Sequence, residues 1–212
     1  MGKRAIKFSI LIAVLTFTSL GFTSKKEANV LKNIEKHNES SRLVTVLPLD
    51  EAKSKEAPIP YTGNKYLGFK EALAFKESQG NYFVVNTLGY LGKYQFGKGT
   101  LEMLGIYNTQ AFLNNPKLQE KAFEANASRN KWILRKDIKR SVGKRINGVL
   151  ITESGILAAA HLAGPGSVKK YLRSGGQEGF SDAYGTTVKH YMKKFAGYDV
   201  SSIKANKKAR VS

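Results

Sequence analysis

The side chain with the clearest potential for chemistry is Glu77, in the stretch YLGFKEALAFKESQGNYFVV that begins at Tyr66. Tyr66, Phe69 and Leu73 recur at helical spacing and predict an apolar stripe on a helix over 66–79. Glu77 follows Leu73 by four residues, so its carboxyl group shares that stripe near the helix C-terminus. Partial desolvation and the negative end of the helix dipole both raise the pKa of such a group. A carboxylic acid still protonated near neutral pH can serve as a general acid.

The alternative is that Glu77 merely reaches solvent at a frayed helix end, as most glutamates do. The elements that follow it bear on this choice. Gly80 is predicted to be the helix C-cap. Residues 82–85 are rich in strand formers, 86–89 contain turn residues, and 90–97 return along the chain. We therefore expect a β-hairpin that folds back over the glutamate.

Helices are predicted to dominate the remainder of the chain. Pro116 suits the first turn of a long helix, and Thr152 is the expected N-cap of an apolar helix that ends at an LAGPG turn. The predicted helices span 100–104, 110–114, 116–139, 151–163, 167–173 and 186–195. The pattern predicts the α+β class, predominantly α-helical.

The composition limits the possible sites. The chain has 212 residues, of which 42% are hydrophobic, enough for one modest domain with appendages. It has no cysteine, which excludes disulfides and cysteine-based zinc sites. Its three histidines form no H-E-x-x-H pattern. We expect neither a metal nor a cofactor.

The N-terminus predicts export. Lys3, Arg4 and Lys7 precede an apolar run over 8–20, which has the length of a signal-peptide core and is short for a membrane span. Residues 1–24 are therefore predicted to be a signal peptide, with an uncleaved N-terminal anchor as the alternative. The protein is expected to be periplasmic or secreted.

The rest of the chain divides by composition. Residues 25–60 mix opposite charges evenly and end in APIP, which predicts a flexible linker. Residues 61–200 are expected to form the catalytic domain, and the basic residues 201–212 a disordered tail.

The formal net charge of +19 implies an acidic partner, which can be nucleic acid, an anionic membrane or a polyanionic wall. Export argues against nucleic acid, and no nucleic-acid-binding module is recognisable. Contact with a membrane is expected only through the signal segment, if it is uncleaved. Association with the cell wall remains the favoured interpretation.

Four motifs in order resemble those of the lytic transglycosylases with a soluble-transglycosylase-type, lysozyme-like domain. ESQGNY at 77–82 resembles their E-S-x-G motif, and GYLGKYQF at 89–96 is similar to their G-x-x-G-L-M-Q hairpin. AAHLAGPGSVKKY at 159–171 resembles A-Y-N-A-G-P-G-x-V, and the late helix with Tyr191 resembles their closing tyrosine helix. The resemblance covers roughly residues 66–197. It implies a lysozyme-like fold with a small β-hairpin beside the active-site helix.

The chain also departs from that pattern. Tyr94 replaces the usual methionine before the glutamine, and His161-Leu162 stands where the family has Tyr-Asn. A long basic helix separates the hairpin from the AGPG segment. These departures bear on subsites and glycan specificity, while the acid itself is retained.

The resemblance implies a mechanism with Glu77 as the sole catalytic acid. It would protonate the glycosidic oxygen between N-acetylmuramic acid and N-acetylglucosamine, with the substrate's acetamido group stabilising the developing cation. The ionised Glu77 would then accept the proton of the muramyl C6 hydroxyl, which closes a 1,6-anhydro ring without water. Substrate assistance of this kind needs no second carboxylate.

Five further residues are candidate substrate contacts, each with a structural alternative. Tyr94 and Tyr191 can lie beside the acid or fill the core, and His161 can face sugar or be a satisfied core histidine. The remaining two, Gln95 and Ser78, can contact the substrate or make structural hydrogen bonds.

Three acids are candidates for a second catalytic carboxylate, namely Glu102, Glu153 and Asp182. Glu153 is explained as a first-turn acid of a helix and Glu102 as a surface residue, whereas Asp182 lies in a glycine-rich loop. None is a strong candidate, which favours a transglycosylase over a hydrolytic lysozyme. A wall-binding module without turnover is the other alternative, although a binder has no need of a desolvated acid.

Overall fold

The computed structural model describes residues 62–211 of the chain. The predicted signal peptide (1–24) and linker (25–60) lie outside the described residues. Helices dominate the described part, accompanied by one small antiparallel sheet. The elements are α1 (Tyr66–Ser78), α2 (Lys98–Met103), α3 (Thr109–Leu113), α4 (Pro116–Ser141), β1 (Arg145–Ile146), β2 (Val149–Leu150), α5 (Glu153–Arg173) and α6 (Val188–Lys194).

The two longest helices begin at capping residues. At the start of α4 the Asn115 side chain accepts the Leu118 N–H, and Pro116 occupies the first turn. At the start of α5 the Thr152 hydroxyl accepts the Gly155 N–H, which confirms the predicted cap. The backbone is not helical at Gly164 of the LAGPG segment, where φ is 74° and ψ is 158°, so α5 consists of two helical parts joined by a kink at the predicted turn.

Helix α5 is the centre of the core and packs against both α4 and α6. Its residues 154–160 are all buried, as its apolar sequence predicts. Gly155 permits a close approach to α6, because a Cβ atom there would lie 2.5 Å from the Met192 carbonyl oxygen. Helices α5 and α6 therefore meet backbone against backbone at this point.

The predicted hairpin over 82–97 is wrong in its detail. This segment, here called the 82–97 loop, forms only isolated antiparallel bridges, from Leu91 to Val85 and to Phe96. The fully buried Gln119 replaces a strand ladder: it accepts the Lys93 N–H at 2.8 Å and donates to the Tyr82 carbonyl at 2.9 Å. Within residues 62–211 the two-stranded sheet lies instead at 145–150.

Gly92 explains why that loop can wrap so closely around Gln119. Its φ is 72°, and a Cβ atom would lie 2.1 Å from the Gln119 amide oxygen. A side chain at position 92 would therefore be strained and would also displace the glutamine.

The prediction of a disordered tail over 201–212 is also wrong for the described residues up to 211. The Asn206 N–H donates to the Ser128 carbonyl at 3.1 Å, and the Val211 N–H to the Leu104 carbonyl at 2.9 Å. Ile203 is buried in the core. Main-chain hydrogen bonds and a few apolar anchors thus order a segment whose lysines remain exposed, and the folded unit extends beyond residue 200.

None of the described helices is long and apolar enough to span a bilayer.

Candidate active site

Glu77 lies half-buried in the last turn of α1. Its Oε1 accepts a hydrogen bond of 2.8 Å from the hydroxyl of Tyr191, which is almost fully buried on α6. Of the two alternatives for Tyr191, the position beside the acid is present, while contact between Tyr191 and substrate stays a prediction. The other carboxyl oxygen of Glu77, Oε2, does not accept this hydrogen bond.

Burial raises the pKa of Glu77 from 4.5 to about 7. The hydrogen bond from Tyr191 and the positive charge of Lys76 oppose the rise, whereas the negative charge of Asp182 adds to it. At neutral pH a substantial fraction of the carboxyl group is protonated. Glu77 therefore has the raised pKa that the sequence predicts, and desolvation is its main cause.

The end of α1 is fixed to the 82–97 loop. The left-handed C-cap is Gln79, with φ at 55°, and the predicted cap Gly80 is the next residue, whose N–H donates to the Ala74 carbonyl. The Ser78 hydroxyl donates to the Lys93 carbonyl at 2.8 Å. Because this bond uses its proton, Ser78 corresponds to the structural alternative and joins the helix to the loop.

The prediction that Tyr94 contacts substrate is wrong. Its side chain is fully buried, stacks on the Phe123 ring with a centroid distance of 4.4 Å, and donates to Glu120 at 2.9 Å. Gln95 is half-buried, and its amide donates to the Gly92 carbonyl at 2.9 Å. This local bond matches the structural alternative, and contact between Gln95 and a glycan stays a prediction.

His161 makes the hydrogen bonds of the structural alternative, and contact between this half-buried residue and substrate stays a prediction. With the proton on Nε2, the ring donates to the Tyr94 carbonyl at 2.8 Å, and Nδ1 accepts from Asn126 at 3.4 Å. Burial lowers its pKa to about 4, against the smaller opposing effect of the Tyr94 hydrogen bond. The neutral ring ties α5 to the 82–97 loop.

The three candidate second carboxylates differ in position. Glu153 pairs with Lys131 at 2.6 Å, and Glu102 lies 3.9 Å from Lys98 on the surface. Asp182 is the one of the three whose charge contributes to raising the pKa of Glu77.

The Asp182 carboxylate is also held in place. Its Oδ1 accepts the N–H groups of Tyr184 at 2.9 Å and Thr186 at 2.7 Å. Because the backbone fixes one oxygen, the carboxylate has a defined orientation in the segment that leads into α6.

Exposed aromatic side chains lie on two segments, the 82–97 loop that follows Glu77 and the loop that precedes α6. The 82–97 loop contributes Phe83 and Tyr90, and the loop before α6 contributes Phe180 and Tyr184. The Thr87 and Tyr184 hydroxyls lie 2.8 Å apart, which links the two segments. Exposed aromatic rings with polar neighbours suit contact with sugar faces. Sequence reasoning missed this set, although its signal is aromatic residues within turn-rich stretches.

Sequence reasoning also missed a buried ionic network beneath the loop. Lys93 is 4% exposed, and its Nζ contacts Glu71 at 2.8 Å, Glu120 at 2.9 Å and the Tyr82 hydroxyl at 3.1 Å. Glu120 also pairs with Lys70 at 2.7 Å. The available signal was a lone lysine within the apolar motif GYLGKYQF.

No group of three or more His, Cys, Asp or Glu residues that could hold a metal ion occurs among residues 62–211. No protein-family model, curated protein or solved structure matches the chain.

Proposed function

We propose that the protein is an exported peptidoglycan-cleaving enzyme, a lytic transglycosylase that acts on the bond between N-acetylmuramic acid and N-acetylglucosamine. The observation that carries the proposal is the half-buried Glu77, whose pKa is raised to about 7 and whose Oε1 is held by Tyr191 at 2.8 Å. A lysozyme-like arrangement of the predominantly helical fold belongs to the same proposal, as does association with the cell wall.

The geometry suggests how Glu77 would act. Because Tyr191 donates to Oε1, the transferable proton resides on Oε2, which delivers it to the glycosidic oxygen. As the carboxylate forms, the Tyr191 bond strengthens and stabilises it. The acetamido group of the substrate stabilises the developing cation, and Oε2 then accepts the proton of the muramyl C6 hydroxyl. The products carry 1,6-anhydromuramyl ends.

One observation favours a second candidate, a hydrolytic lysozyme that cleaves the same bond. The charge of Asp182 acts on Glu77, and its carboxylate is oriented by two backbone N–H groups. A second carboxylate near the acid is what activation of water, or a covalent intermediate, requires. Asp182 would be that group.

Digestion of purified cell wall tests the proposal and separates the two chemistries. Anhydro and reducing muramyl ends differ by the mass of one water, so mass spectrometry of the released fragments identifies the reaction. We expect anhydro ends from the wild type and at least a hundredfold slower release from E77Q, since a general acid contributes about 10²–10⁴-fold.

The matched control is E102Q, which makes the same change at an exposed glutamate and should digest wall at the wild-type rate. Reducing ends alone would replace the transglycosylase with the lysozyme. Undiminished release by E77Q would refute both.

A further inference from the structure

A second cluster of charged side chains lies at the far ends of α4 and α5. Asp137 is 1% exposed and faces two arginines, one from the last turn of each helix. Arg173 donates from Nε at 3.1 Å and from Nη2 at 3.4 Å, and Arg140 pairs with Asp137 Oδ1 through its own Nη2. Burial disfavours the Asp137 carboxylate, but the two arginines outweigh that effect and lower its pKa.

The buried carboxylate fixes the two guanidinium groups without exhausting them. Arg173 bonds Asp137 through Nε and Nη2, which leaves the Nη1 donors, and Arg140 uses one nitrogen only. Both arginine side chains remain more than half exposed, at 57% and 58%. Held in this way, they present oriented donors to solvent at little further entropic cost.

Both arginines line a pocket of about 300 Å³. Its walls combine cationic, hydroxyl and apolar side chains, from Arg140, Ser141, Lys144, Ile146, Leu172 and Arg173. Three cations against the single carboxylate of Asp137 leave an excess of two positive charges. The two apolar residues form a wall on which an uncharged organic group can pack.

Cations at helix C-termini have a simpler explanation, because they complement the helix dipole. That effect amounts to about half a charge for each helix, and here capping bonds already serve both ends, from Val142 N–H to Ile138 and from Ser174 N–H to Lys170. The cationic excess of this cluster is therefore larger than the two helix ends require.

We propose that this pocket binds a phosphate monoester, separately from the site at Glu77. Such a group carries a charge of about −1.5 to −2 at pH 7, which matches the excess, and its oxygens fit the fork of a guanidinium. The organic part of the ester packs on Ile146 and Leu172. The proposal is independent of the wall-cleaving activity and stands or falls without it.

Titration of the full-length protein with inorganic phosphate, phenyl phosphate and dimethyl phosphate tests this site, by amide NMR shifts and calorimetry at low salt. We expect saturable shifts confined to residues 140–146 and 172–174. Phenyl phosphate should bind more tightly than inorganic phosphate, and the singly charged diester at least about fivefold more weakly. Equal affinities for dimethyl phosphate and inorganic phosphate would refute the proposed match of charge. Equal affinities for phenyl phosphate and inorganic phosphate would refute the packing of the organic group on Ile146 and Leu172.

The test variant is K144Q, which lines the pocket and lies outside the Asp137 pairs. It should weaken phosphate binding about five- to tenfold. The matched control K136Q removes one exposed charge from α4, outside the pocket, and should change the affinity less than twofold. An equal loss in both variants would reduce the effect to general surface charge and refute the site.

Discussion

Two partly buried glutamates of this protein have pKa values that are shifted in opposite directions. Glu77 has one strong partner, Tyr191, and its pKa rises to about 7. Burial disfavours the charged form of Glu120 too, yet hydrogen bonds from Lys70, Tyr82, Lys93 and Tyr94 lower its pKa to about 2. At Glu77 the cost of burial outweighs the single hydrogen bond from Tyr191, so the neutral acid is favoured. At Glu120 two lysines and two tyrosine hydroxyls outweigh the cost of burial, so the anion is favoured.

Removing the charge of Glu120 should have the largest effect on stability. E120Q leaves two lysines facing a neutral amide, so we expect the free energy of unfolding at pH 7 to fall by ~3 kcal/mol. Because the folded pKa lies below the ordinary value, the contribution is present above about pH 4.5 and is lost as the pH falls toward 2. Urea unfolding measures this loss.

The control for that variant is E124Q, an exposed glutamate on the same helix, which should change little. A stability of E120Q equal to the wild type at pH 7 would show that the network contributes nothing net.

The same substitution at Glu77 should act in the opposite direction. Its folded pKa lies above the ordinary value, so ionisation costs free energy as the pH rises from 4.5 through about 7. E77Q carries no charge and should be as stable as the wild type at pH 4 and more stable at pH 8. The pKa shift corresponds to ~3 kcal/mol for a fully buried group, and the partial exposure of Glu77 reduces the expected gain at pH 8 to ~2 kcal/mol. Unfolding curves at the two pH values test the sign; a destabilised E77Q at pH 8 would contradict the comparison.

Removing the Tyr191 hydrogen bond should shift the pKa of Glu77 further from that of Glu120. Y191F deletes the hydrogen bond that favours the carboxylate, so the pKa of Glu77 should rise by about one unit. Carbon NMR titration of the Glu77 carboxyl group measures it directly. The alkaline limb of wall cleavage should move upward by the same amount, and a downward movement would be inconsistent with this role for Tyr191.

The smallest expected change comes from the neighbouring charge. D182N keeps the oxygen that accepts the Tyr184 and Thr186 N–H groups and removes the negative charge. The pKa of Glu77 should fall by a few tenths of a unit, because one repulsive interaction is lost. The same NMR titration detects the shift. A complete loss of cleavage, with the fold intact, would instead assign Asp182 the role of second carboxylate in a hydrolase.

Local patterns predicted much of the helical framework. The apolar stripe of α1, Pro116 at the start of α4 and Thr152 at the start of α5 are short-range signals, and the structure has each of them. The Glu77–Tyr191 contact was one of two alternatives for Tyr191, because local patterns do not relate residues that are 114 positions apart.

The rest depended on distant partners that no local pattern encodes. The 82–97 loop keeps only isolated bridges, and Gln119, on another helix, bonds its Lys93 N–H and Tyr82 carbonyl. Tyr94 and His161 likewise bond to distant groups, the Tyr94 hydroxyl to Glu120 and the His161 ring to the Tyr94 carbonyl. The basic composition of residues 201–212 predicts disorder, but it does not encode the main-chain hydrogen bonds that order this segment up to residue 211.

The contact between Gly155 and Met192 couples the sequence of α5 to the position of Tyr191. Helices α5 and α6 touch there through backbone atoms, and a Cβ atom at position 155 would lie 2.5 Å from the Met192 carbonyl oxygen. A side chain at 155 therefore requires α6 to move. Tyr191 precedes Met192 on α6, so the same movement would displace the phenol that donates to Glu77 Oε1. A single methyl group added at position 155 would thus reach the proposed site through the backbone of α6.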